Sequence, residues 1–317
     1  MNNKKICVLG ANGLVGSALV RSLEKKSYTN IIAPKRGQLD LLAQEATKEF
    51  FAKERPEVVI LAAAKVGGIK ANNTFRADFI LQNLQIQNNV IEACFKAEIK
   101  NVIFLASSCV YPKESLQPIK EEYLLTGPLE KTIEPYALAK IAGIKLIENF
   151  ARQYGSQYFS LVPCNVYGPG ESFDPDNSHV IAGLIRRMYE AKVKSLPEFK
   201  VWGTGKPRRE FLFTDDLADG IVHFAKEGME ISPGAYINIG YGDDIQISDL
   251  VNMVAETTGY KGSIVFDTTQ PDGTMKKLVD SSRIFNLGWK PKVTLPEGIK
   301  KTYEYFLNSK WSDIKSF

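Results

Sequence analysis

Short apolar runs alternate with longer amphipathic stretches from residue 5 to about residue 170. Ile6-Cys7-Val8-Leu9 follows Lys5 and is stopped by glycine, the pattern of a strand buried on both faces. Leu19, Val20 and Leu23 then give helical spacing over 17–25. The alternation continues with strands at 30–34, 56–64, 101–106 and 158–162. Between them lie a helical stretch through Phe50-Phe51, a long helix at 79–97 and another opening at Pro135-Tyr136. Five strand–helix units predict an α/β fold, a Rossmann-type doubly wound parallel sheet. Ligands of such sheets sit beyond the carboxyl ends of the strands, where the strand order reverses.

After residue 170 the pattern loosens. A polar loop at 171–178 precedes a helix at 180–191, and 201–211 has the look of strand, turn and strand. A helix at 215–226 and a strand at 236–239 are expected to return to the sheet, and short helices and turns follow from Gln246. The expected division is a nucleotide-binding domain over 1–170 with 212–240 returning, and a smaller interwoven substrate lobe from 171–211 and 241–317. The helix at 79–97 carries polar Gln and Asn with almost no charge, a face suited to another subunit or to the sheet.

Composition narrows the class. With 317 residues, 44% hydrophobic and 24% charged, the chain has the make-up of a soluble globular protein. Its apolar runs fall short of the ~20 residues a bilayer demands, so no membrane partner is expected. Cys7, Cys94, Cys109 and Cys164 lack disulfide or metal spacing, which points to free thiols, no metal and a cytoplasmic location. The net charge of +4 is dispersed, without the basic stripe of a nucleic-acid binder, although it suits an anionic small substrate.

Gly10, Gly13 and Gly16 stand between the first strand and its helix. In that context glycines permit close approach of a pyrophosphate to a helix N-terminus, although G-x-x-G-x-x-G alone fits an ordinary turn as well. Lys35 and Arg36 end the second strand where NAD sites carry an acid, and Asp40 comes later. Two cations there favour the 2′-phosphate of NADP over a merely solvated turn. Lys65–Lys70 reads as a loop whose Gly67 and Gly68 let the backbone close on a ligand. Ser107, Ser108 and Cys109 follow the fourth strand. Tyr136 is the one tyrosine of thirteen with a lysine four residues on, Lys140, which places both on one helical face. A neighbouring ammonium favours phenolate, so the pair is a candidate acid. Taken alone it reads first as a surface pair on an amphipathic helix.

Together these features resemble the extended short-chain dehydrogenase/reductases. The segments AAAKVGGIKANNT (62–74), SSCVYP (107–112), EPYALAKIAGIK (134–145), NSHVI (177–181) and PDGT (271–274) resemble, within them, the GDP-L-fucose synthase family, and the likeness runs from about residue 5 to about residue 307. The resemblance implies NADP(H) and a reaction in two stages on GDP-4-keto-6-deoxy-D-mannose. C3 and C5 are epimerised, and C4 is then reduced to give GDP-L-fucose. Ser107 and Tyr136 would hold the carbonyl oxygen, Lys140 would hold ribose and tune the tyrosine, and Cys109 with His179 would move the protons. The chemistry is reasonable because a ketone acidifies its neighbouring C–H bonds. His223, the other histidine, lies within a helix and suits packing, whereas His179 begins a helix after a polar loop, a place that also suits a backbone-bonded residue.

The resemblance assigns the cofactor to Gly10, Asn12, Gly13, Leu14, Val15 and Gly16. It adds Arg36, Asp40, Leu41 and Ala63, then Leu105, Ala106 and Lys140, and finally Pro163, Asn165, Val166 and His179. It assigns the GDP-sugar to Asn165, Arg187, Trp202, Arg209 and Asp272. Of each adjacent pair, Arg186/Arg187 and Arg208/Arg209, one member is expected to be ordinary surface charge, and Trp202 suits either ligand or core. The family carries an arginine where this chain has Asn12, which leaves the 2′-phosphate to Lys35 and Arg36. A homodimer built on helices 79–97 and 136–153 is also implied. The alternatives are a 4-epimerase or plain 4-keto-sugar reductase, which has no need of Cys109 with His179, and, more remotely, a non-catalytic NADP-binding regulator.

Overall fold

The computed structural model describes residues 3–175, 178–225, 231–270 and 272–309, so Asn177, Pro271 and the expected helix end at Lys226 lie outside the described residues. The chain starts with β1 (Ile6–Leu9), α1 (Leu14–Lys25), β2 (Ile31–Ile32), α2 (Gln44–Glu54) and β3 (Val58–Leu61). A short α3 (Ile69–Thr74) leads into α4 (Arg76–Lys96), β4 (Asn101–Leu105), α5 (Glu134–Tyr154) and β5 (Gln157–Pro163). Next come β6 (Asn165–Tyr167), α6 (Val180–Val193), β7 (Glu198–Trp202), β8 (Arg208–Arg209), β9 (Phe211–Phe213), α7 (Thr214–Phe224) and β10 (Tyr236–Ile239). The last part holds β11 (Ile245–Gln246), α8 (Ile247–Thr258), β12 (Ser263–Asp267), β13 (Lys276–Lys277), α9 (Ser282–Asn286) and α10 (Leu295–Leu307).

Six parallel strands form the central sheet in the order β10-β5-β4-β3-β1-β2. Every residue of β1 and β3 is buried, as their unbroken apolar runs require of strands covered on both faces. Helices α1 and α7 pack together, and α4 packs on both α2 and α5. From β1 the chain steps outward to β2 and then crosses back to β3. The order therefore reverses between β1 and β3, where a nucleotide crevice is expected.

Two expectations change. The 65–70 loop runs into α3, and its backbone is clamped: Asn83 bonds both the N–H and the carbonyl of Lys65, while Asn72 Nδ2 donates to the Gly67 and Gly68 carbonyls. The 201–211 segment does not pair with itself. Strand β7 pairs with β12, β8 lies between β11 and β13, and β9 joins β6. Strand β12 was not read from the sequence: its apolar run, Ile264-Val265-Phe266, is three residues long, and among the described residues it pairs with β7 alone and none of its residues is buried.

Two hydrophobic cores result, one around the sheet and one built from residues such as Tyr167, Phe173, Ile185, Phe199, Leu250 and Phe306. Val279, Ile284 and Trp289 pack into the sheet core although they follow α8, so the chain crosses between the cores repeatedly. Gly143 sets the depth of α5: a Cβ there would stand 2.4 Å from the Phe104 ring. That close approach, with Ile144 and Ile147 fully buried below it, brings Lys140 within reach of β4. Burying each isoleucine contributes about 1.5–3 kcal/mol. Among the described residues no helix is long and apolar enough to cross a membrane.

Candidate active site

At the reversal point Gly10 takes φ +86° and its carbonyl accepts the Gly13 N–H at 2.9 Å. A Cβ on Gly16 would lie 2.0 Å from the Gly10 oxygen, and one on Gly10 would lie 2.8 Å from the Ala63 backbone. These contacts press the turn against the end of β3. Gly13 is the N-cap of α1 and offers no side-chain cap, so the first-turn N–H groups are left for an anion. Gly16→Ala is expected to cost about 1–3 kcal/mol of stability as an overpacking change. A urea melt with an unchanged midpoint would contradict that close packing.

Lys35 and Arg36 are exposed beyond β2 and form no ion pair among the described residues. Asp40 turns its carboxylate back to the Leu42 N–H at 3.1 Å, and the Leu41 carbonyl is taken by Asn89. Asn12 is exposed, whereas Leu14 and Val15 are half-buried at the start of α1.

Strands β4 and β5 are neighbours, so their carboxyl ends bring Leu105-Ala106-Ser107 beside Pro163-Cys164-Asn165. The Ala106 N–H donates to the Leu161 carbonyl, and Asn165 Nδ2 donates to the Glu210 carbonyl at 2.8 Å. Val166 continues into β6, half-buried. Ser107 Oγ accepts the Cys109 N–H at 3.5 Å and opens a 3₁₀ turn over Ser108–Val110, which buries the thiol. Burial pushes Cys109 up, and Lys277, a hydrogen bond with Ser107, and Lys140 pull it back. Tyr136 feels Cys109 in turn. Ser107, Cys109, Tyr136, Lys140 and Lys277 therefore lie near enough at the end of β4 for the hydrogen bond with Ser107 and the neighbouring charges to bear on the thiol.

Lys140 is 3% exposed. Its Nζ donates to the Leu105 carbonyl at 2.8 Å and stands 4.7 Å from the Phe104 ring centroid and 5.8 Å from that of Tyr136. Removing an ammonium from water costs several kcal/mol. One charge-assisted hydrogen bond returns about 1.5–3 kcal/mol, so burial wins and Lys140 is lowered to about 8. The expectation that Lys140 holds Tyr136 down is corrected. Burial, and then the neighbouring Cys109, push the phenol well above its ordinary value. The ammonium bonds a carbonyl and lies over ring faces, and Lys140 is withdrawn from water while Tyr136 is half-buried.

His179 is the N-cap of α6, but its ring does not bond the backbone. Nδ1 lies 2.9 Å from Glu171 Oε1. The side chain is 44% exposed. The Glu171 bond raises His179 against the opposing effect of burial. Among the described residues no hydrogen bond or ion pair joins His179 to Cys109. His223 packs within α7, its Nε2 3.4 Å from the Leu287 carbonyl.

The arginine pairs divide differently from a split into ligand and surface charge. Arg186 is buried, bonded to Glu190 and the Phe173 carbonyl, and Arg208 pairs with Asp244. Arg187 and Arg209 have no salt bridge among the described residues. Arg187 bonds the Lys200 carbonyl and lies over the Phe199 ring, while Arg209 bonds the Arg208 carbonyl near Asp272. Trp202 is 73% exposed at the end of β7, so it does not fill a core. Asp272 binds the N–H and hydroxyl of Thr204 at 2.9 and 2.7 Å, which fixes the turn after Trp202.

Three groups escaped the sequence. Lys277, on β13, bears on Cys109 and Arg209. Glu171 holds His179. Glu210 is wholly buried and accepts N–H bonds from Gly242 and Val279, and burial pushes it up to about 7. Only the closeness of Lys277 to the PDGT segment offered a signal.

The chain matches the model of the NAD dependent epimerase/dehydratase family over residues 6–240. It is 48% identical to a GDP-L-fucose synthase of Sinorhizobium fredii over 98% of this chain and 97% of that one. Against the GDP-L-fucose synthase of Escherichia coli it is 46% identical over 98% of both chains. Among solved structures it resembles a GDP-mannoheptose C4 reductase from Campylobacter jejuni with NADP bound, with TM-score 0.88 and 38% identity over 96% of this chain and 99% of that one. A sheet that reverses beside an uncapped glycine turn and a Ser, Tyr and Lys gathered beyond the end of β4 agree with that kinship, and the chain belongs to the NAD dependent epimerase/dehydratase family, in its GDP-L-fucose synthase group.

Proposed function

We propose that the chain converts GDP-4-keto-6-deoxy-D-mannose to GDP-L-fucose by epimerising C3 and C5 and then reducing C4 with NADPH. The observation that carries this reading is the Cys109 thiol in the turn that follows β4, its N–H on Ser107 Oγ, next to the helix that carries Tyr136 and Lys140. A reductase acting at C4 alone has no need of a thiol there.

Several features fit NADP: the uncapped α1 N-terminus for the pyrophosphate, glycines that leave no room for side chains, and the unpaired Lys35 and Arg36 for the 2′-phosphate. Asp40, Leu41 and Ala63 would flank the adenosine end, and Leu105, Ala106, Pro163 and Val166 the nicotinamide end. When bound, NADPH supplies the hydride that reaches C4. Ser107 and Tyr136 hydrogen-bond the C4 oxygen. During epimerisation this stabilises the enolate left when the C3 or C5 proton departs. Of Cys109 and His179, one takes that proton and the other returns one to the opposite face. During reduction Tyr136 gives its proton to the oxygen, and its high pKa keeps it a phenol, the donor form, until then. Lys140 holds the ribose. Arg187 and Arg209 present forks to the diphosphate, Trp202 offers a ring face, and Asn165 completes the sugar site. Asp272 supports this wall through Thr204.

The test is incubation with the keto sugar and NADPH in deuterated water, with the product identified by NMR. GDP-L-fucose with deuterium at C3 and C5 is expected. The likeness to a C4 reductase favours a second reading, reduction alone, which predicts unchanged C3 and C5 configuration and no deuterium there. Arg36→Ala is expected to raise the KM for NADPH by about tenfold or more, the worth of one charge-assisted contact, while leaving that for NADH nearly unchanged. Equal KM values for the two cofactors in the parent protein would sink the NADP preference. We also propose a cytoplasmic homodimer. All four thiols are free and buried, and adjacent helices α4 and α5 expose Leu81 and Leu138. Light scattering at monomer mass would remove the dimer.

A further inference from the structure

The geometry points to Glu171 as the positioning residue of His179: its carboxylate fixes the proton on Nδ1 and leaves Nε2 free to exchange protons with the sugar. This rests on the reading of His179 as a proton carrier. The Glu171 side chain is 4% exposed, and its Oε1 meets His179 Nδ1 at 2.9 Å and accepts the Ser172 N–H at 3.2 Å. Oε2 is buried without a hydrogen-bond partner among the described residues. A carboxylate withdrawn from water with one ring as its only charged partner is costly to keep, and such an arrangement is a mark of function more than of stability.

The support is rigid. The Glu171 N–H donates to the Gly168 carbonyl, and two residues later Phe173 is fully buried against Phe306, its carbonyl held by Arg186. His179 itself is anchored at the start of α6. Loop and helix thus converge on one Oε1–Nδ1 bond, which sets both the rotation of the ring and its tautomer. Among the described residues Glu171 is the one charged group that bears on the ring, and it raises His179. A proton gained or lost at Nε2 then leaves the Nδ1–H in place. The imidazolium that forms is stabilised by the carboxylate at Nδ1.

With only His179 and His223 in the chain, nitrogen-15 histidine NMR reads the pair directly. The parent protein is expected to show neutral His179 as the Nδ1–H tautomer. In Glu171→Gln its titration should move to lower pH and the tautomers should mix, with His223 unchanged. Deuterium exchange at substrate C3 and C5 should fall at least tenfold, with the exchange profile shifted in the same direction, while the KM for NADPH is unmoved. Glu171→Asp, which keeps the charge, should recover much of the exchange and covers the case in which the glutamine variant folds poorly. Unchanged titration of His179 in Glu171→Gln would overturn the proposal. So would full exchange activity in that variant when His179→Gln has lost it. Retained exchange in His179→Gln would instead remove the catalytic reading of His179, and the role of Glu171 with it, even where the NMR coupling is present.

Discussion

Replacing Tyr136 with phenylalanine is expected to lower NADPH consumption with the keto sugar by roughly 10²- to 10⁴-fold, the usual worth of a positioned general acid. The ring would stay in place, since its edge-on contact with Phe79 and the burial of its neighbours Ala137 and Ala139 do not involve the hydroxyl. What is lost is the proton that must reach the C4 oxygen as hydride arrives. Ser107 retains one hydrogen bond to that oxygen, so exchange of the C3 and C5 protons should persist at a reduced rate. Measuring both rates in the same variant separates the two stages. Unimpaired NADPH turnover would remove Tyr136 from the reducing step. Complete loss of exchange would mean that the phenol is as essential to the enolate as to the alcohol.

Cys109→Ser is expected to reverse that pattern. Oxygen fits the turn after Ser107, and the bond that opens the turn runs from the Cys109 backbone N–H to Ser107 Oγ without using the thiol, so the fold should hold. An alcohol is a far weaker proton carrier than a thiol, and deuterium exchange should fall by about 10²- to 10⁴-fold. NADPH would still reduce the ketone, slowly, to a product whose C3 and C5 are unchanged. The thiol sits in a balance of opposing effects, raised by burial and lowered first by Lys277. Retained exchange in the serine variant would place the epimerising groups elsewhere.

Much of this was legible along the chain. Strands β1, β3, β4 and β5 of the large sheet are buried along nearly their whole length, so each announced itself as an apolar run, and the glycine turn stood in its strand–helix context. Tyr136 and Lys140 lie one helical turn apart, a spacing that local geometry alone sets. The smaller sheets were hard to read because their strands are two to five residues long and pair with partners far away in the chain. Gln117 and Ile119 show the same remoteness, since they bond the backbone at Leu278 and Asp280.

By itself, then, the sequence determined the doubly wound architecture, the place of the nucleotide turn and the Tyr136–Lys140 pair, while Ser107, Cys109 and His179 took their candidate roles from the family resemblance. Periodicity and short-range spacing depend on neighbours in the chain, and these elements are built from neighbours. The tertiary structure decided in which direction the ionisable groups are shifted. Burial raised Tyr136 where a nearby lysine had suggested the opposite, and it lowered Lys140 to about 8. It also decided which arginine of each pair is already taken by an acid, and it brought Lys277 to Cys109 and Glu171 to His179. Desolvation and through-space fields depend on what surrounds a group in three dimensions, and no local pattern encodes them.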